Sequence, residues 1–480
     1  MRIVITAVLL AASVVATVLS LTTLPFYSHL QPTALVTWTA VLWVLFAAAV
    51  IALRRVPAKA AVVLILIGSI GIGGAAMSSP PNVSTDSARY AWDGIVQNAG
   101  ISPYRYAATS PYLNSLRPEW LFPPDVQLTP GGAETCVGSR IQTSHEPGDG
   151  ELVCTALNRG TAHTIYPPSS ELVFAAVRFI VGPNAQYWPL QLLGLLMGLV
   201  ITLLLLRALR ARGLNPRWAA LWAWSPLWAT EGVTNSHIDT LGALFLLMAT
   251  LAVSSGKPWR GGIALGVAIG AKLIPVIGAP ALLRGRSWKI VVAAVVTFFV
   301  LYVPYIIASG IKVLGYLPKY LNEEGYNTGS RFALISFFIR GKPAIVIAVV
   351  LLVILAFLVW RKSNPADPWM GQVAMIGITL LIVSPSYAWY ALLLVPMIAM
   401  TGRWEWLAIA LAITLRELVP HVAVFRVSEA VAILVIVVVT LLRAGPGGVR
   451  RAALELRHPW RAPVRPLARI DEPDRLASES

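Results

Sequence analysis

Acid, base and ring chemistry are concentrated in one stretch of this chain, Thr85-Asp86-Ser87-Ala88-Arg89-Tyr90-Ala91-Trp92-Asp93-Gly94, followed by Gly100-Ile101-Ser102-Pro103-Tyr104-Arg105-Tyr106. It begins just past the third apolar run, where a membrane helix meets water. A carboxylate placed there suits general-base work, taking the proton of a hydroxyl as its oxygen attacks a carbon. Asp86 is the first candidate. Asp93 follows at a spacing of seven, which puts both on one helical face, and is the second. Each has a plainer alternative. Asp86 could cap a helix through Tyr90 to Val96, a task that Ser84 or Thr85 would serve equally well, and Asp93 could simply orient Arg89.

If the carbon carries an anionic leaving group, cations must meet the charge that grows on it, and arginine does this best in a water-poor site. Arg331 and Arg416 are the candidates, with Lys272 a third. Arg416 stands inside an apolar segment, where an ionisable residue is a functional hypothesis by default. A pair with Glu417 is the alternative, although adjacent helical residues do not face each other. Arg331 also reads as a solvated loop residue. His237 and Asp239 could ligate a metal, but two ligands do not make a site, and they serve as well to position hydroxyls or to cap the helix from Ile238. Among the aromatics, Tyr90, Trp92, Tyr104, Tyr387 and Trp389 accompany polar groups and offer flat ring faces to a ligand, whereas Trp188, Trp222 and Trp228 read as interfacial or packing residues.

The elements that must position these groups are membrane helices. Of 480 residues, 57% are apolar and 12% charged, and uncharged apolar runs of roughly 20 residues recur along the chain. Backbone in lipid must satisfy its own hydrogen bonds, so the expected fold is an all-α polytopic bundle over residues 1–443. The net charge of +16 sits in short loops and the tail, where it reads as a topology signal and not as a nucleic-acid surface. Arg54, Arg55 and Lys59 mark a cytoplasmic loop, so Ser78 to Pro189 is expected outside as a large first loop, and Ile311 to Pro343 as a second. The pattern predicts about twelve spans with both ends cytoplasmic. The stretch Gly261 to Leu283 breaks parity, because Arg284 and Lys289 also look cytoplasmic, and reads as a hairpin broken around Lys272 to Pro275. The first run is expected to be an uncleaved anchor in preference to a signal peptide. Residues 444–480, rich in arginine and proline, read as a disordered cytoplasmic tail lying along anionic headgroups. Ser169 to Ile180, with Glu171 and Arg178, reads as an amphipathic helix in the interface. Cys136 and Cys154 both fall in the first outer loop, an oxidising setting in which a disulfide is expected. No Walker loop or dinucleotide fingerprint occurs, which argues against a nucleotide-dependent enzyme or pump.

The two opening phrases, together with Thr164-Ile165-Tyr166-Pro167-Pro168, Asn235-Ser236-His237-Ile238-Asp239 and Ser384-Pro385-Ser386-Tyr387-Ala388-Trp389-Tyr390, resemble the GT-C membrane glycosyltransferases, in particular glycosyltransferase family 87 of the actinobacterial type. The resemblance implies transfer of a sugar, mannose first, from a polyprenyl-phosphate donor to an envelope glycolipid or polysaccharide at the outer face of the cell membrane, with inversion. It implies that an aspartate in the first large outer loop is the base. In the family that aspartate follows the first span and here it follows the third, which implies an additional N-terminal helix pair. No pyrophosphate is neutralised, so neither a metal nor a cofactor is called for, and the expected partners are donor, acceptor and membrane lipids, with no nucleic acid. Arabinofuranosyl transfer on the same fold is the alternative within the class, and a lipid-linked-sugar flippase or transporter the alternative outside it. A transporter would place its polar groups near the midplane, where only Lys272 fits.

Overall fold

The structure, a computed structural model, describes residues 1–24, 26, 31–148, 150–285 and 287–457. Three apolar helices open the chain, α1 (Arg2–Thr23), α2 (Pro32–Leu53) and α3 (Ala58–Ala75), with α1 packed on both of the others. An amphipathic helix, α4 (Asp86–Asn98), starts the long connection that follows. Two small antiparallel hairpins interrupt the otherwise helical fold there: β1 (Val126–Leu128) with β2 (Glu134–Cys136), and β3 (Gln142–His145) with β4 (Leu152–Thr155). Cys136 and Cys154 form a disulfide, Cα to Cα 5.4 Å, that ties the two hairpins together.

The connection ends in α5 (Pro168–Val181), which lies against α4. Gly94 makes that approach possible, since a Cβ there would collide with the carbonyl of Phe174. Glu171 and Arg178 of α5 are buried against the protein, while Phe179 and Ile180 are 83% and 80% exposed. The charged stripe therefore faces inward and the apolar stripe outward, the arrangement of a helix whose free side meets lipid.

Helix α6 (Trp188–Ala211) precedes the short α7 (Ala220–Ala223), a π-helix at Trp228–Thr234 and α8 (Asp239–Ser254). Trp222 and Trp228 are fully buried, so they are packing residues, while Trp188 is half exposed. Helix α9 (Pro258–Ala271) stops where Lys272 adopts an extended conformation, and the chain goes on as a 3-10 segment, Ile274–Leu282. The break expected around Lys272 is present. The rest comprises α10 (Ser287–Ser309), α11 (Leu317–Glu323), α12 (Ile335–Phe338), α13 (Lys342–Lys362), α14 (Trp369–Val383), α15 (Val395–Thr401), α16 (Leu407–Leu418) and α17 (Val422–Arg457).

The chain is a helical, polytopic membrane protein. Seven described helices are long and apolar enough to cross a membrane, namely α1, α2, α3, α6, α13 and the segments built on α10 and α17. The bent pair of Trp228–Thr234 and α8 would make an eighth. The other apolar runs of the expected twelve appear as shorter pieces, such as the 15 residues of α14 and the 12 of α16. Glycine and proline divide them, and they are largely buried in the bundle, so none reaches the roughly 20 residues of an independent span. Residues 444–457, expected to be unstructured, continue α17 as helix past a kink at Gly445. The remainder of the tail, 458–480, lies outside the described residues.

Candidate active site

A cavity of about 710 Å³ opens beside the N-terminus of α4. Two alternatives for Asp86 separate at once. Asp86 is the first residue of the helix, behind Thr85 at the N-cap, and its carboxylate makes no cap bond, while its amide donates to Ser84 Oγ at 3.1 Å. That carboxylate lines the cavity. Its Oδ1 accepts from Asn158 Nδ2 at 2.6 Å and its Oδ2 from the Tyr166 hydroxyl at 3.1 Å. Burial and the adjacent Asp86 charge hold the Tyr166 phenol well above its ordinary pKa, so it remains a donor. Asn235 of the Asn-Ser-His-Ile-Asp phrase supports the strand of chain leading to Asp86, its Oδ1 accepting from the amides of Asn82 and Val83.

Arg89 also lines the cavity, but its charge is used structurally. Nη2 donates to the carbonyls of Asn158 and Arg159 at 3.2 and 2.8 Å, and Nη1 lies 4.0 Å from Asp93 Oδ1. This clamp presents the Asn158 amide to Asp86 and holds Arg159 at φ +52°. Lys272, at the break after α9, reaches Asp239 Oδ2 at 2.5 Å and lies 5.8 and 5.1 Å from the ring centroids of Trp389 and Tyr390. Tyr387 stacks on Trp389 at 4.4 Å, and both line the cavity. Arg416, in the last turn of α16, donates to the Ser384 carbonyl and covers the Phe425 ring. It lines the cavity as well.

Other residues chosen from the sequence are not brought there. Asp93 is on the same face of α4 as Asp86 but two turns deeper, roughly 10 Å along the axis, where it is buried beside Glu171. Tyr90 stacks on Phe174, Trp92 packs edge-on to Phe122, and Tyr104 packs against Tyr305 while donating to the Tyr166 carbonyl. All three are buried core residues, because the polar face of α4 is covered by α5 and the loop instead of being left open. Arg331 is buried behind the wall, paired with Glu324 and donating to Ser386. Burial lowers its pKa from the ordinary arginine value. Asp239 stands outside the cavity lining with its carboxylate on Lys272, and His237 is buried beneath Asp86.

The sequence reading missed several wall residues: Asn158, Arg159, His163, Tyr316 and Tyr320. Arg159 donates to Glu323 at 3.2 Å and sits over the rings of Tyr316 and Tyr320. Tyr320 in turn bonds Tyr390 at 2.8 Å, so α11 closes one side of the cavity. Gly315 makes the turn into α11 at φ +52°, pressed on the Thr164 carbonyl where a Cβ would clash. Among the described residues no group of three or more His, Cys, Asp or Glu is arranged to hold a metal ion.

Comparison with known proteins gives three matches. Residues 164–385 match the model of glycosyltransferase family 87. The chain is 23% identical over 272 residues to the polyprenol-phosphate-mannose-dependent alpha-(1-2)-phosphatidylinositol pentamannoside mannosyltransferase of Mycolicibacterium smegmatis, covering 51% of this chain and 66% of that protein. It is 25% identical over 255 residues to the protein of the same name from Mycobacterium tuberculosis, covering 50% of this chain and 56% of that one. The matched region thus spans less than two thirds of either relative. No solved structure matches. The family match takes in the phrases at 164–168 and 235–239 and the start of the one at 384–390, and begins after the two opening phrases.

Proposed function

From that likeness to family 87 we propose that this chain is an inverting membrane glycosyltransferase that moves mannose from a polyprenyl-phosphate donor to an envelope glycolipid or polysaccharide. The acceptor class we favour is a phosphatidylinositol mannoside, the one in the names of both relatives. The reaction takes place at the outer face of the cell membrane, with residues 78–189 as an extracytoplasmic loop and about twelve crossings in all, some of them broken.

One observation carries the reading. Asp86, the free carboxylate, shares a single cavity with Lys272, Arg159 and Arg416. Asp86, oriented by Asn158 and Tyr166, takes the acceptor proton as the hydroxyl attacks the anomeric carbon. Charge then grows on the lipid phosphate, and the three cations stabilise it where water is scarce. The rings of Tyr387 and Trp389 provide a flat wall for the sugar. One attack from one side inverts the anomeric centre. Arg331, which is not part of the cavity lining, supports the wall through Ser386 without meeting the phosphate.

The test is transfer of labelled mannose from a polyprenyl-phosphate donor to phosphatidylinositol mannoside by the purified full chain. Asp86→Asn keeps size and most hydrogen bonding and removes the base, so turnover should fall by about a hundredfold or more. Donor binding should persist. Near-normal turnover by the folded variant would remove Asp86 from the chemistry.

A further inference from the structure

Immediately behind Asp86 the backbone leaves regular helix twice. Residues Trp228–Thr234 wind as a π-helix, a rare form concentrated at functional sites. Ser236 then takes φ +58°, a left-handed conformation that costs energy in a residue bearing a Cβ. Between the π-helix and α8 the direction turns by 112°. The product of these departures is the placement of one side chain. The His237 imidazole is fully buried, stacked on Trp389 at 3.8 Å, with Nε2 3.9 Å from Asp86 Oδ2 and Nδ1 3.0 Å from Glu231 Oε2.

Neither approach is aligned as a hydrogen bond: both imidazole nitrogens and Glu231 Oε2 are buried without a bonded partner. Buried polar groups are almost always satisfied, so three orphans in one chain of contacts leading from Asp86 call for a reason. Proton-transfer contacts are often long outside the reacting complex and tighten within it. The charged groups around the imidazole are Asp86 from α4, Glu231 from the π-helix, and Asp239 from the start of α8 with Lys272 bound to it, while Glu417 of α16 lies within electrostatic reach of Glu231.

We propose that His237 is the proton outlet of Asp86 and that Glu231 is its counter-charge, an inference that rests on the reading of Asp86 as the base. The acceptor O–H bond breaks as its oxygen bonds the anomeric carbon, the bond from that carbon to the phosphate oxygen breaks with its electron pair, and the proton lands on Asp86 Oδ2. His237, neutral with its N–H toward Glu231, receives that proton on Nε2. The imidazolium is balanced by the Glu231 carboxylate, Asp86 is a carboxylate again for the next acceptor, and the proton is lost to water as the products leave. His237 and Glu231 are positioning residues, acting through Asp86.

Two readouts test this in the full-length protein. The chain has six histidines, so the His237 signals can be followed by NMR of labelled histidine and assigned with His237→Gln. They should move in both Glu231→Gln and Asp86→Asn, since the imidazole lies against both carboxylates. An imidazole whose signals move with neither overturns the relay whatever sugar the protein transfers. In turnover, His237→Gln should lower kcat by about tenfold or more with donor KM unchanged. A folded His237→Gln enzyme with wild-type kcat overturns the proposal. If that variant does not fold, Glu231→Gln decides, because it must lower kcat with donor KM unchanged. A wild-type protein that transfers no mannose sinks the functional reading alone, since the NMR signals read the coupling without turnover.

Discussion

Asp86 and Asp93 share one helical face but not one depth, and depth decides what each can do. Asp86 is at the mouth of its helix, held by Asn158 and Tyr166, while Asp93 is packed beside Glu171. Burial pushes the Asp93 carboxyl up to about 6 against the pull of Arg89, and pushes Glu171 up as well. A raised carboxyl binds its proton more tightly folded than unfolded, so the stability it gives is present at acid pH and is lost as pH rises from roughly 4 through about 6. Asp93→Asn keeps the shape and removes this titration. Its melting temperature should therefore decline less than that of the wild type between roughly pH 4 and pH 7, with mannose transfer within a few-fold; parallel melting curves would show that Asp93 does not titrate in that range. Arg416→Ala should weaken donor binding and turnover together, because one charge meets the phosphate both before and after the bond breaks. Equal donor affinity in variant and wild type would place Arg416 outside the phosphate site. Asp86, Tyr166, Lys272, Trp389 and Arg416, singled out from residue type and company, all line the cavity. Asp93 misled because a seven-residue spacing preserves the face of a helix but not the depth. Asn158 and Arg159 escaped because a loop has no periodicity, and only their place shortly after Cys154 hinted at an ordered segment.

Elements repeat the pattern. The helix at α5 was readable from its apolar and charged alternation, and the break at Lys272 from conflicting loop charges, since both are written in local sequence. The hairpins were not. Their strands are three or four residues long, too short to show alternation, and what holds them is a covalent bond. Cys136 and Cys154 should accordingly resist thiol labelling until reduced. Replacing both with serine should lower stability by about 3 kcal/mol, seen as a lower melting temperature, while the rate per folded molecule changes little. A double variant that melts with the wild type would make the bridge dispensable, and one that folds fully yet transfers slowly would tie the hairpins to the chemistry. The same loop carries Asn158 and Arg159 into the cavity wall, so the bridge steadies residues only a few positions beyond it.

At the scale of the molecule, the helical membrane class followed from composition, whereas the number of crossings turns on runs that proline and glycine break into pieces and that the bundle buries. Orientation is testable independently of that number. A periplasm-active reporter fused after Pro130 or Gly325 should be active and one after Ala211 or Ser363 silent, because arginine-rich loops stay inside. Activity at Ala211 would invert the map and divide the proposed site between two faces. The cavity itself draws its wall from Val83 at one extreme to Phe425 at the other. That spread has a consequence for biosynthesis. A ribosome adding about 5–20 residues per second delivers Asp86 early and Arg416 only near the end of translation. From Lys272 to Arg416 the nascent chain holds a carboxylate, an imidazole and a lysine whose last cationic companion has not yet been made. On the proposed reading the chain is therefore silent until Arg416 has been made, and one cut short before α16 leaves a membrane protein whose cavity lacks the wall from Arg416 to Phe425.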